Sequence, residues 1–170
     1  LATLGFATLE AAIDAVAPIL ETRPVAVELL DDMVLETARA NIEYRRYADM
    51  MPRPAGRPPA AVLYVEYFSE LEGDEGRQEV DAALIRLRSL LPQSALQTHT
   101  RADDMARIWK LRKAGEPLLH GVATDRKPIS FVEDNAVPVE NLAEFVRRFK
   151  EIVTRHGTRA AYWAHASVGV

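Results

Sequence analysis

Ala60-Ala61-Val62-Leu63-Tyr64-Val65-Glu66-Tyr67-Phe68 is the stretch on which the fold turns. Its almost continuous run of β-branched, aromatic and aliphatic side chains is that of a buried strand. A buried strand needs neighbours on its edges and cover on its faces, so the chain on either side has to supply both. Upstream, Met51 to Pro59 packs four prolines and a glycine into nine residues and reads as an exposed loop joining two halves of the fold. Before it, Asp31 and Asp32 can cap a helical stretch carrying Met33, Val34, Ala38 and Ile42 as far as Tyr47. Val25 to Leu30 suits a strand. Thr8 is a suitable N-cap for a helix in which Leu9, Ala12, Ile13, Val16, Ile19 and Leu20 recur at helical spacing, and Leu1 to Ala7 suits a short strand.

Downstream of the buried strand, a polar turn from Ser69 to Gly76 leads into a helix with Val80, Ala83, Leu84, Leu87, Leu90 and Leu91 on one face, stopped by Pro92. Strand-like Ala95 to Thr100 follows, then a helix from Ala102 to Leu119 with Met105, Ile108, Trp109 and Leu111 placed to bury one side. Ile129 to Val132 is strand-like, Pro138 to His156 is an amphipathic helix ended by Gly157, and Ala160 to His165 is a last strand. Helices separate most neighbouring strands, which on its own suggests a parallel α/β sheet. Two successive split βαβ units give the same order with a mostly antiparallel sheet, and the pattern alone does not choose between them.

Composition narrows the function classes. With 170 residues, 48% of them apolar, the chain can bury the core of one domain. Its formal charge of -4 comes from 25 acidic and 21 basic residues mixed along the length, so no face or tail is set aside for nucleic acid or anionic lipid. No apolar run approaches the roughly 20 residues of a spanning helix, and the N-terminus lacks a basic-then-apolar signal pattern. The absence of cysteine removes disulfides, thiolate metal sites, iron–sulfur ligation and thiol nucleophiles from these residues. The chain opens on Leu1 and stops at Val170 directly after a strand-like run, so it reads as an excerpt of a larger protein, one truncated domain over residues 1–170.

Three stretches carry candidate chemistry. In Trp109-Lys110-Leu111-Arg112-Lys113-Ala114-Gly115-Glu116, Arg112 falls on a helix beside apolar residues, where a guanidinium can hold a small carboxylate through two parallel hydrogen bonds. From spacing alone the more ordinary outcome is an ion pair with a carboxylate on a neighbouring helix. Lys127, ahead of the strand-like Ile129 to Val132, offers a second positive charge, although a lysine there is usually solvated. Asp134 suits a cap or a loop-fixing role before Pro138. In Tyr162-Trp163-Ala164-His165-Ala166-Ser167-Val168-Gly169-Val170, His165 at a strand end is open to three roles: metal ligand, general base or hydrogen-bonded strand-end residue. One histidine does not define a metal site. His99, His120 and His156 show no ligand spacing and read as surface or packing residues. There is no Gly-rich phosphate loop, no nucleophile elbow and no paired-carboxylate motif.

These stretches, taken in order with the opening Leu4-Gly5-Phe6-Ala7-Thr8-Leu9-Glu10-Ala11-Ala12 and with Glu28-Leu29-Leu30-Asp31, resemble the C-terminal domain of FAD-linked oxidases, a family that includes D-lactate, glycolate and D-2-hydroxyglutarate dehydrogenases. Glu116 to Val122 and His165 to Val170 look most like the long members, in which an FAD domain, this domain and an iron–sulfur region are fused. The resemblance implies an α+β fold of ferredoxin-like, duplicated split βαβ units, a mostly antiparallel sheet with helices on one face, closing over a flavin held by a separate domain. It implies oxidation of a 2-hydroxy acid by hydride transfer to the flavin. By the same carry-over Arg112 binds the substrate carboxylate and Lys127 reaches the substrate. His165 matches the first histidine of the family's metal motif, whose ion is usually zinc. Ala164 replaces the motif's first glycine and Ser167-Val168-Gly169-Val170 its Gly-Asp-Gly-Asn portion. No catalytic residue, bound metal or bound FAD is expected within residues 1–170 alone. The parent is expected in the cytoplasm, peripheral at the inner face of the membrane where its electron acceptor lies.

The competing reading is a non-enzymatic ferredoxin-like module that binds a small metabolite or a protein, in which Arg112 and His165 do not converge. The enzyme reading further expects a poorly covered face for the flavin domain and a homodimer of the fragment through unpaired strand edges.

Overall fold

In the computed structural model, residues 1–92, 94–121, 125, 127–129, 132 and 135–170 are described. The buried stretch forms β3 (Ala61–Glu66), the centre of a five-stranded sheet whose order is β4 (Ala95–Thr98), β1 (Ala2–Phe6), β3, β2 (Ala26–Asp31) and β5 (Trp163–Ala164). Every neighbouring pair is antiparallel. The first four strands with α1 (Leu9–Leu20) and α4 (Gly73–Leu90) make one complete split βαβ unit, spatial order 4-1-3-2. That settles the choice left open by the strand–helix pattern, in favour of the antiparallel α+β arrangement. The rest of the chain contributes α5 (Ala102–Lys113), α6 (Gly115–His120), α7 (Leu142–Arg155) and β5, which joins the same sheet beside β2. Among the described residues there is thus one full unit plus an added strand, where two units were expected.

The strands alternate cleanly and both faces are covered. Leu4, Val27, Leu29, Leu63 and Val65 point into a core closed by α1, α4 and α7. Leu30, Val62 and Tyr64 point the other way, against α2 (Asp32–Ala40), α3 (Arg45–Ala48), α5 and α6. Helices on both faces replace the expected single helical layer, and the continuous apolar run of β3 is the reason. A strand with no polar side needs cover above and below, and each fully buried leucine of that core stabilises by about 1.5–3 kcal/mol. The poorly covered face expected for flavin-domain docking is therefore not a face of the sheet itself among the described residues.

Local chemistry explains where elements break. Thr8 caps α1 by accepting from Ala11 N (3.1 Å), and Asp31 caps α2 by accepting from Val34 N (3.0 Å). The helix expected to continue from Asp31 to Tyr47 stops at Asn41, whose side-chain oxygen accepts from Glu43 N and Tyr44 N at 2.9 and 3.3 Å and turns the backbone out of the helix. The expected polar turn at Gly73 to Gly76 is instead the first turn of α4, where Asp74 and Glu75 face the helix's positive end. The helix expected over Ala102 to Leu119 divides at Ala114. Pro117 has no N–H to give to the preceding turn, and Gly115 packs close under Leu30 and Val34. The expected strand at Ile129 to Val132 lies partly outside the described residues. Ile129 is described without regular structure and Val132 as a bend.

Candidate functional site

The register of the sheet builds the site. β2 pairs with β3 so that Glu28 lies opposite Tyr64, and β3 pairs with β1 so that Tyr64 lies opposite Thr3. On the other side Leu29 faces Ala164 and Leu30 faces Trp163, so one further step along the antiparallel ladder sets His165 against Glu28. Thr3, Tyr64, Glu28 and His165 thus form a polar row across the face covered by α2, α5 and α6. Arg112 descends onto that row from the last turn of α5, whose Ile108 and Leu111 are fully buried beneath it.

Glu28 is the hub. Its Oε2 accepts from Arg112 Nε at 3.1 Å and from Arg112 Nη2 at 2.6 Å, while its Oε1 lies 2.8 Å from His165 Nδ1. The side chains of Glu28 and Arg112 are only 10% and 13% exposed, whereas that of His165 is 63% exposed. The pair is therefore largely desolvated and the imidazole forms its outer rim. Arg112 carries five N–H donors in a planar fork, and Nη1 is outside the bonds made to Glu28. Beneath the guanidinium, Tyr64 is fully buried and packs on Trp109 with ring centroids 5.7 Å apart. Burial pushes its phenol well above the usual tyrosine range, partly opposed by the nearby Arg112 charge.

A second carboxylate anchors the segment that carries His165. Asp31 is 2% exposed; besides capping α2 it accepts from Tyr162 N through Oδ2 at 2.8 Å, and its own N–H donates to Tyr162 O at 3.0 Å. Desolvation raises its carboxyl to about 7, against the backbone N–H groups of Val34, Tyr162 and Met33, which favour the ionised form. Past His165, Val137 N donates to Gly169 O, and Gly169 turns through φ 75°.

The sequence candidates fare differently. Arg112 and His165, 53 positions apart, meet on one carboxylate. Lys127 is exposed on the segment after α6, and the contacts of Glu28 are made by the other two. Asp134 lies outside the described residues. The ordinary outcome foreseen for Arg112, an ion pair, is present, with its partner on a strand in place of a helix. Glu28 was missed as a functional candidate. The available signal was a lone acid inside the apolar run Val25 to Leu30, a position that demands a cation. A hollow of about 340 Å³ lies elsewhere, lined by Thr8, Glu10, Asp31, Lys150, Arg159 and Tyr162 among others. Among the described residues no cluster of three or more His, Asp or Glu side chains is placed to hold a metal ion. His165 supplies one imidazole, with Nδ1 already engaged, so these residues do not by themselves make a metal site.

Comparison with known proteins bears on the family of the chain. The family model for FAD linked oxidases, C-terminal domain, matches residues 1–170. A D-2-hydroxyglutarate dehydrogenase of Pantoea ananatis is 29% identical over 160 residues, covering 91% of this chain and 16% of that protein. One from Pseudomonas putida is 30% identical over 151 residues, covering 87% of the chain and 15% of that protein. One from Escherichia coli K12 is 28% identical over 157 residues, covering 88% and 15%. The chain spans about a sixth of the length of these relatives. The match over its whole length, together with the antiparallel α+β sheet, makes this chain a member of the family of FAD linked oxidases, C-terminal domain.

Proposed function

We propose that residues 1–170 are a truncated substrate-side domain of an FAD-dependent enzyme that oxidises a 2-hydroxy acid, D-2-hydroxyglutarate being the first substrate to try. The observation that carries the reading is the meeting of Arg112 and His165 on Glu28 within a chain matched along its full length by the family. The substrate carboxylate would lie on the Nη1 side of Arg112, the side not bonded to Glu28, where two N–H donors fix orientation as well as charge. Lys127 would add a second charge to the substrate, a role supported by its position in the sequence. FAD, held by a domain outside these residues, would supply the hydride acceptor. His165 would give one ligand to a divalent ion, zinc by family resemblance, with the remaining ligands beyond Val170. Any iron–sulfur cluster would also sit elsewhere in the parent, since this chain has no cysteine. No helix among the described residues is long and apolar enough to cross a membrane. The reading places the parent in the cytoplasm, peripheral where its electron acceptor is membrane-bound. β4 and β5 are the outer strands of the sheet among the described residues, which supports self-association of residues 1–170.

The module alternative expected Arg112 and His165 not to converge on one pocket, and their meeting on Glu28 favours the enzyme reading over it. The deciding experiment uses the full-length parent: its visible spectrum is recorded, and D- and L-2-hydroxy acids are added without oxygen. Bleaching of a flavin band by one acid, lost in Arg112→Met, is the expected result. A colourless parent, or a flavin untouched by every acid, would overturn the proposal.

A further inference from the structure

A carboxylate in the middle of a strand flanked by fully buried Val27 and Leu29 is a costly placement unless both oxygens are satisfied. Glu28 is 8% exposed, and its two oxygens are divided between partners drawn from distant parts of the chain, 84 and 137 residues away. Packing alone calls for no such residue, since Leu or Met would fill the position. A single ion pair would be served by one contact. The division of the two oxygens is the feature that needs explaining.

We infer that Glu28 is a positioning residue that aims two groups at once, holding Arg112 by its Nε edge and fixing the His165 ring with a proton on Nδ1. An ionised carboxylate only accepts hydrogen bonds, so the His165 nitrogen facing it at 2.8 Å has to be the donor. The lone pair of the neutral ring is then confined to Nε2, on the side away from Glu28. Arg112 is held by Nε and Nη2, so its Nη1 edge is presented in a fixed plane to an incoming carboxylate. Glu28 also offsets the charge of Arg112, so it gives up affinity for an anion in exchange for orientation. The part concerning Arg112 rests on the substrate reading above; the part concerning the His165 tautomer does not.

The test begins with the unaltered chain. Nitrogen-15 NMR at about pH 9, where an ordinary histidine ring is neutral, reports which ring nitrogen of His165 carries the proton. The expected result is Nδ1–H with an unprotonated Nε2. A ring protonated on Nε2 overturns the inference while leaving the flavin reading standing. Glu28→Gln then inverts the donor: its amide oxygen can still accept from Arg112, and its NH₂ donates to Nδ1, so the proton moves to Nε2. An unchanged tautomer in that variant also overturns the inference. In the full-length parent, Glu28→Gln is expected to lower KM for the hydroxy acid by about tenfold through loss of a nearby like charge, and to lower kcat as the ring presents the wrong nitrogen. A raised KM with kcat unchanged is what a merely structural residue would give, and it too overturns the inference. If the parent shows no flavin bleaching at all, the substrate role of Arg112 fails but the tautomer result still stands or falls by itself.

Discussion

Replacing Glu28 by alanine should remove a large share of the stability of this chain. The Arg112 guanidinium is attached to a side chain only 13% exposed and gives two of its N–H groups to Glu28, at 3.1 and 2.6 Å. Removing the carboxylate leaves that charge largely out of water with no counter-ion, a change that costs about 3–5 kcal/mol. A domain of ordinary stability has only about 5–15 kcal/mol in total, and at this size each kcal/mol moves the midpoint by about 2–4 °C. The expected loss is therefore about 6–20 °C in Tm, or a matching fall in the urea midpoint with the slope unchanged. Arg112→Met should also destabilise, since it strips Glu28 of its main partner. Glu28→Leu combined with Arg112→Met should recover most of the loss, because an apolar pair of similar volume needs no desolvated charges. A cost below about 1 kcal/mol for Glu28→Ala would refute the reasoning, since it would mean that water screens the pair as it does on an open surface.

Three further outcomes are expected. Asp31 has a folded-state carboxyl near 7, above the ordinary unfolded value, so the folded chain holds the extra proton between about pH 4 and 7. Its contribution to stability is then greatest at acid pH and is lost as pH rises through 7; urea unfolding at pH 5 and pH 8 should show a drop that is absent in Asp31→Asn. Gly169→Ala should destabilise by at least ~2 kcal/mol, read from the thermal midpoint, because φ is 75° and a Cβ would sit 1.9 Å from Val137 O. The same change at Gly56, where a Cβ meets nothing within 4 Å, should cost less despite its φ of 75°. Gel filtration of residues 1–170 at high concentration should show a dimer formed through the outer strands of the sheet, and a clean monomer would remove that part of the proposal.

Much of the fold was legible because its signals are local. Thr8 and Asp31 cap the helices they were read as capping, and the apolar run around Leu63 is the central strand. The breaks were harder, because each depends on one side chain competing for the backbone: Asn41 folding back on Glu43 and Tyr44, Pro117 withholding a donor after Gly115. The placement of helices on both faces was written in the same run that identified β3, since a strand without a polar side cannot be left half covered. Strand register was out of reach. A shift of one residue between β2 and β5 would turn His165 to the opposite face, and nothing local in Tyr162 to His165 sets that register. What sets it is Asp31, whose backbone N–H and side chain both bond Tyr162 from 131 positions away.

Arg112 shows why an ion pair and a binding role are poor alternatives for a guanidinium. The sequence offers both, and a pairing carboxylate reads as evidence that nothing else is bound. Geometry argues otherwise, because a carboxylate can occupy one edge of a planar fork and leave the other in place. A free arginine on α5 would sample many rotamers and lose that freedom on meeting a substrate, at a cost of about 0.5–1.5 kcal/mol for each side chain immobilised. Glu28 imposes that order in advance, so the ion pair makes a carboxylate-binding role for Arg112 easier to sustain. The same holds for His165, which is exposed enough to meet a ligand and tethered enough to meet it in one orientation. The buried acid on β2 thus links the stability of the sheet to the geometry of the site, and the two should fail together when it is removed.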